Sequence, residues 1–246
     1  MKSTSEVKTF SLAQIRTSLP SEKNSFDSLW IRFVLRPLSF PVTWVFLRLG
    51  SSANQVSCLA VLVSLIAAIL MGTGEMCLVI IGAFLFNFFA LLDCVDGNIA
   101  RVRKQESSYG GFMDALGGYV AFACALPAAG IAAEHAKTMS FPFICNLNYI
   151  IIGAIAAIST LTMRLAYQHF SNVIGRKTEK PGTFKYSVEN NLGITGVLMP
   201  AILVGTILRQ LHWVVLCYAI YYVLAFIIVV VQLIIIAERL QREHCS

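Results

Sequence analysis

The sequence predicts an all-α integral membrane protein, six transmembrane helices preceded by an interfacial amphipathic helix, and three observations carry that reading. The 246 residues are 57% hydrophobic and only 13% charged, against about 25% charged in ordinary soluble domains. Six apolar stretches approach the roughly 20 residues that a helix needs to cross a ~30 Å hydrocarbon core. Lys and Arg crowd onto alternate connections between those stretches, as orientation in a bilayer requires.

In chain order, residues 1–24 mix Ser, Thr, Lys and Glu without period, the composition of a flexible or loosely surface-bound tail. They lack the apolar core and small-residue cleavage site of a secretory signal, so insertion is expected to begin with the first span. Over residues 25–49, Trp30, Phe33, Val34, Leu38, Trp44, Val45 and Leu47 recur near helical spacing while Arg32, Arg36 and Arg48 add positive charge, the pattern of a helix lying at the interface. Pro37 and Pro41 are expected to break or kink it. Residues 50–240 form the transmembrane domain, with spans expected over 54–72, 76–92, 110–133, 148–166, 192–208 and 213–237.

Small residues interrupt the second and third spans, Gly82 and Ala83 in one and Gly117, Gly118, Ala121 and Ala123 in the other, which predicts close helix packing. Trp30, Trp44 and Trp213 read as interfacial anchors. The seven cysteines are scattered with no disulfide framework or zinc spacing. His135 and His212 read as interfacial and His169 and His244 as loop or tail residues, none paired at metal-ligand spacing. Six spans place both termini on one side. That side holds 17 of the 19 Lys and Arg and the other only Lys137 and Arg209, so both termini and the connection between the second and third spans are expected in the cytoplasm.

Carboxylates at membrane depth must be neutralised. Asp93 and Asp96 stand three apart on one helix and share a face, and Asp114 enters the next span about a turn below its cytoplasmic mouth. Gly97, Gly110 and Gly111 remove side chains where a ligand can approach. Hard oxygen donors suit Mg²⁺, Mn²⁺ or Ca²⁺, ions that keep positions open for substrate phosphates. Arg101, on the same helix as the first two aspartates, can clamp a phosphate through its planar fork. The residues alone therefore describe a cytoplasm-facing pocket for metal-assisted chemistry on a phosphoanhydride.

The spacing D-x2-D-G-x2-A-R-x8-G-x3-D, formed by Asp93, Asp96, Gly97, Ala100, Arg101, Gly110 and Asp114, closely resembles the signature of the CDP-alcohol phosphotransferase family, which includes the CDP-alcohol phosphatidyltransferases. Asn54 followed by Ser57 is similar to that family's Asn and Ser/Thr at the start of the first span, although Ala53 stands where a proline often precedes the Asn. The resemblance covers about residues 30–240 and includes the six spans and the interfacial helix. It implies that Asp93, Asp96 and Asp114 ligate two divalent ions, Mg²⁺ or Mn²⁺. It assigns Asn54, Ser57, Gly97, Ala100, Arg101 and Gly110 to the nucleotide and diphosphate pocket. The implied reaction moves a phosphoalcohol group, most often phosphatidyl from CDP-diacylglycerol, to an alcohol acceptor with release of CMP, within phospholipid biosynthesis at the lipid bilayer. Family members often form dimers, so a homodimer stands among the partners to test; nucleic acid does not.

The family signature ends on a fourth aspartate four residues after the third, the family's proposed general base and a contributor to its metal site. That position here is Gly118. A placed base contributes roughly 10² to 10⁴-fold, and three readings stay open. Another group takes the proton, such as Glu189, Glu106, a metal-bound water or a substrate phosphate; or an anionic acceptor or a different donor removes the need for a base; or the chain is a non-catalytic nucleotide- or lipid-binding membrane subunit. A transporter is a further alternative, but no inverted repeat is visible and the aspartates cluster at one end. The connection between the fourth and fifth spans carries Arg164, Arg176, Lys177, Lys180 and Lys185, which read either as orientation charges or, for Arg164, Arg176 and Lys177, as a grip on an anionic acceptor. Arg164 lies near the end of a span, where it can face the cavity.

Overall fold

The computed structural model describes residues 10–20, 27–136, 147–174 and 194–245, and their regular structure is helical throughout. A capping box opens the first helix: Ser11 Oγ accepts from the Gln14 amide at 3.2 Å and Gln14 Oε1 from the Ser11 amide at 2.9 Å, starting α1, Leu12–Thr17. Ile15 of α1 is fully buried. This stretch of the expected tail is therefore an anchored helix, because a cap and one buried apolar side chain outweigh its polar composition.

Ile31–Leu35 form a π-turn that leads into α2, Arg36–Arg48. The break expected at the prolines does not occur. The Arg36 amide reaches back five residues to the Ile31 carbonyl, and Pro37 then falls in the first turn of α2, where no amide donor is needed. Pro41 sits within the continuous helix. The faces of α2 suit a membrane: Phe33, Leu38 and Val45 around it are exposed, whereas Arg36, Ser39 and Thr43 are buried against the bundle.

Four long apolar helices follow: α3, Ala53–Gly72; α4, Met76–Arg103; α5, Ser108–His135; and α6, Tyr149–Ile174. The fifth span was expected over residues 192–208. There Ile194–Leu198 make a π-turn kinked at Gly196, and α7, Met199–Ile207, continues it. At 1.5 Å per residue these two segments rise about 21 Å, short of a ~30 Å core. The last helix is α8, Leu211–Cys245. Five helices among the described residues, α3 to α6 and α8, are long and apolar enough to cross a membrane, which makes this a multi-pass membrane protein.

α3 packs against both α4 and α5, whereas the consecutive helices α4 and α5 barely touch. α4 is central, with Phe86, Phe89, Leu92, Val95 and Ile99 buried and α2 and α7 also packed on it. Lipid offers no hydrophobic drive between helices, so small residues must let the backbones meet. Gly82 does so for α3 and α4, since a Cβ there would come within 2.6 Å of the Ala67 carbonyl oxygen. Gly130 and Gly153 do so for α5 and α6, lying directly against the backbones of Tyr149 and Leu126. Asn87, buried on α4, donates to the Met199 carbonyl at 2.9 Å and ties down the start of α7.

Candidate functional site

The first turn of α3 joins the two halves of the aspartate motif. Ser52 caps α3, accepting from the Gln55 amide while Gln55 caps it in return. This fixes Asn54 and Ser57 on the opening turn. Ser57 Oγ donates to Asp96 Oδ2 at 2.5 Å, a charge-assisted bond from α3 to α4. Asn54 Oδ1 lies 3.8 Å from where a Cβ on Gly110 would be, so the same turn of α3 also reaches the start of α5.

α4 runs eleven residues past its expected end at 92 and carries Asp93, Asp96, Gly97, Ala100 and Arg101 on one uninterrupted helix. Lys104, in the left-handed region at φ 53°, stops it. Ser107 Oγ then accepts from the Gly110 amide at 3.1 Å and starts α5. Asp96 is buried, Asp93 half-buried and Asp114 exposed. Asp96 and Asp114 are close enough for their charges to repel. The Arg101 guanidinium lies over Gly97, with Nη1 and Nη2 3.3 and 3.4 Å from where a Cβ would stand. A side chain at 97 would touch it, so the guanidinium would have to shift by a few tenths of an ångström.

Among the described residues, no three His, Cys, Asp or Glu side chains stand close enough together to hold an ion. α3 is wedged between α4 and α5, so the carboxylates of those two helices do not close into a compact ligand set. Their chemistry nevertheless fits a hard divalent cation. Asp96 and Asp114 repel across the site, a tension that a cation relieves. Room is also present, because Cβ atoms at Gly111 and Gly118 would meet no other group within 4 Å.

One constellation escaped the sequence reading. Asn98 is fully buried; its Nδ2 donates to Ser39 Oγ at 3.0 Å and Thr43 Oγ1 at 3.1 Å on α2, and its Oδ1 accepts from Arg101 Nη2 at 2.7 Å. On the same face of α2, Arg36 pairs with Asp27 through Nε at 2.6 Å and Nη2 at 3.2 Å. Burial opposes the Arg36 charge, yet the Asp27 bond, with the nearby negative charges, holds its pKa above the ordinary value. The signal was legible as polar residues at 36, 39 and 43, spaced by three and four.

α6 continues to Ile174, eight residues past the expected end of the fourth span at 166, so Arg164 is followed by ten further helical residues. The Arg164 guanidinium lies 4.0 Å from the centroid of the Phe122 ring. The Tyr218 and Tyr222 hydroxyls are buried without a hydrogen-bond partner among the described residues. Tyr119, next to Gly118, donates to Gln168 Oε1 at 2.6 Å. His169, expected in a loop, is on α6 and lines an apolar groove with Val230 and Leu233 of α8. Arg176, Lys177, Lys180, Lys185 and Glu189 lie outside the described residues, and Glu106 is exposed.

No curated protein matches the sequence. Residues 50–235 match the family model described as CDP-alcohol phosphatidyltransferase. That match takes in α3 to α7 and most of α8 and spans every motif position from Asn54 to Asp114, so the chain belongs to the CDP-alcohol phosphatidyltransferase family.

Proposed function

We propose that this chain is a membrane phosphotransferase of phospholipid synthesis, which moves a phosphatidyl-type group from a CDP-linked donor such as CDP-diacylglycerol to an alcohol acceptor and releases CMP. The observation that carries it is the bond from Ser57 to Asp96, by which the first turn of α3 holds a buried carboxylate of the motif. Asp93, Asp96 and Asp114 would hold two divalent ions, Mg²⁺ or Mn²⁺, whose chemistry is to neutralise charge on the diphosphate. Ser57 orients Asp96 for that task. Asn54, Gly97, Ala100 and Gly110 shape the nucleotide side, and Arg101 offers its fork to a phosphate.

In the transfer, the acceptor oxygen forms a bond to the phosphorus of the lipid phosphate as the bond to the CMP oxygen breaks. The acceptor proton must leave, and Gly118 offers no side chain to take it. Arg164, seated on the Phe122 ring, supports an acceptor that bears an anionic group, and Arg176 and Lys177 would add to that grip. The charge asymmetry of the sequence supports a cytoplasmic site with both termini on the same side. Residues 25–49 then act as the interfacial helix and 50–240 as the catalytic domain, behind an N-terminal segment that includes the packed helix α1, and a homodimer is consistent with the family.

The test is CMP release by the purified chain given CDP-diacylglycerol and Mn²⁺, with and without a panel of alcohols. Alcohol-dependent release establishes the transferase and names its acceptor. Asp96→Asn should abolish release, at least about 100-fold down, while the protein remains folded in detergent; full activity in that variant sinks the assignment. The second reading, a non-catalytic nucleotide- or lipid-binding subunit, is favoured by the missing acid at 118. Metal-dependent binding of CDP-diacylglycerol without release would establish it.

A further inference from the structure

The polar face of α2 is turned toward the motif rather than toward water. Asn98 sits between Asp96 and Arg101 in sequence, but it points to a different neighbour: Asp96 is held by α3 through Ser57, whereas Asn98 is held by α2 through Ser39 and Thr43. Both amide hydrogens of Asn98 are used on α2, and its carbonyl oxygen is given to the Arg101 guanidinium. Ser39 is itself fixed, its Oγ donating to the Arg36 carbonyl at 2.9 Å. A bond network of this kind leaves the Asn98 carboxamide one orientation, because a flip would set its NH₂ against the Arg101 cation, which has only donors to offer.

Arg101 is constrained from two sides. Oδ1 of Asn98 takes Nη2, and the flat guanidinium rests over the bare backbone at Gly97. Its Nε is buried without a hydrogen-bond partner among the described residues, so the guanidinium keeps donor capacity to spare. Without Asn98 a long, rotamer-rich side chain would have to be ordered by its ligand, at the expense of affinity. We propose that Asn98 is a positioning residue: clamped by Ser39 and Thr43, it ties the interfacial helix α2 to Arg101 and presets that guanidinium for an anionic diphosphate. The diphosphate part rests on the function proposed above; the link from α2 through Asn98 to Arg101 does not.

The experiment separates the two. Asn98→Leu keeps the size and removes every hydrogen bond, while Ser39→Ala with Thr43→Val cuts the tether and keeps Asn98. Each is examined in detergent by ¹⁵N spectra of the arginine Nε–H groups, Arg101→Lys assigning the resonance, and by KM and kcat for CDP-diacylglycerol with Mn²⁺. A well-ordered Arg101 signal is expected in the unsubstituted chain and an averaged one in Asn98→Leu. The donor KM should rise about tenfold with kcat within about twofold, the mark of lost ground-state binding. Combining all three substitutions should be no worse than Asn98→Leu alone, because one path is cut twice. An Arg101 signal equally ordered in Asn98→Leu overturns the proposal, as does an unchanged KM or a fall in kcat alone that follows the folded fraction. Should Asn98→Leu fail to fold, the Ser39 and Thr43 variant carries the same two readouts. If the unsubstituted chain releases no CMP while Asn98→Leu still loosens Arg101, the transferase reading falls and the positional link stands.

Discussion

At Asp96 the site depends on one short contact between helices. Ser57 donates to a carboxylate that is 6% exposed, and bonds to charged groups contribute about 1.5 to 3 kcal/mol. Ser57→Ala should therefore lower Mn²⁺ affinity and CMP release roughly 10- to 100-fold, read by metal titration and turnover; an unchanged metal affinity would detach Ser57 from the site. Gly118 presents the opposite case. A Cβ there meets no other group within 4 Å, and exchanging glycine for aspartate on a helix changes stability by only a few tenths of a kcal/mol. With Mn²⁺ present to neutralise the added carboxylate, Gly118→Asp should accordingly fold as well as the unsubstituted chain by thermal melting. A change in rate or acceptor choice is the expected result for a redirected active site, and continued inactivity for an abandoned one.

At the scale of elements, α3 is the wedge on which the motif depends. It separates α4 from α5 and supplies the turn that touches both. Its seat against α4 rests on Gly82, whose absent side chain admits the Ala67 carbonyl. Gly82→Val forces those backbones apart, and overpacking of this kind typically costs about 1 to 3 kcal/mol. The expected outcome is a Tm lower by several degrees, with CMP release falling more than the folded fraction because Ser57 is drawn away from Asp96. Loss of stability with full specific activity would show that the α3–α4 seat does not set the site. α2 acts in parallel from the other side of α4. Its polar stripe of Arg36, Ser39 and Thr43 faces inward, where Asn98 receives it.

At the scale of the whole molecule, the number of crossings decides where the ends lie. Six spans put both termini on the cytoplasmic side, and five put them on opposite sides. Ile194–Leu198 with α7 is the segment on which this turns, being kinked at Gly196 and shorter than a bilayer core. Both termini are expected in the cytoplasm, from the 17 Lys and Arg assigned to that side. Protease protection of terminal tags in sealed vesicles checks this, and a C-terminal tag protected on the other side would limit the chain to five crossings.

By itself the sequence determined the membrane class, because apolar length and the scarcity of charge are summed over many residues and no packing detail can reverse them. It also determined the family, since Asp93, Asp96, Gly97, Ala100, Arg101, Gly110 and Asp114 lie within one short window whose spacing is local. Helix ends were less legible: α4 continues through a charged segment that hydropathy would end at Leu92, because Cys94, Val95, Asn98 and Ile99 are buried against other helices. Tertiary structure alone decided which residues meet across helices. Ser57 and Asp96 are 39 positions apart, and Asn98 lies 59 and 55 positions from Ser39 and Thr43. No local spacing records such distances; they follow from how three helices pack side by side, with glycine and alanine letting their backbones close and buried polar groups finding partners where water is absent.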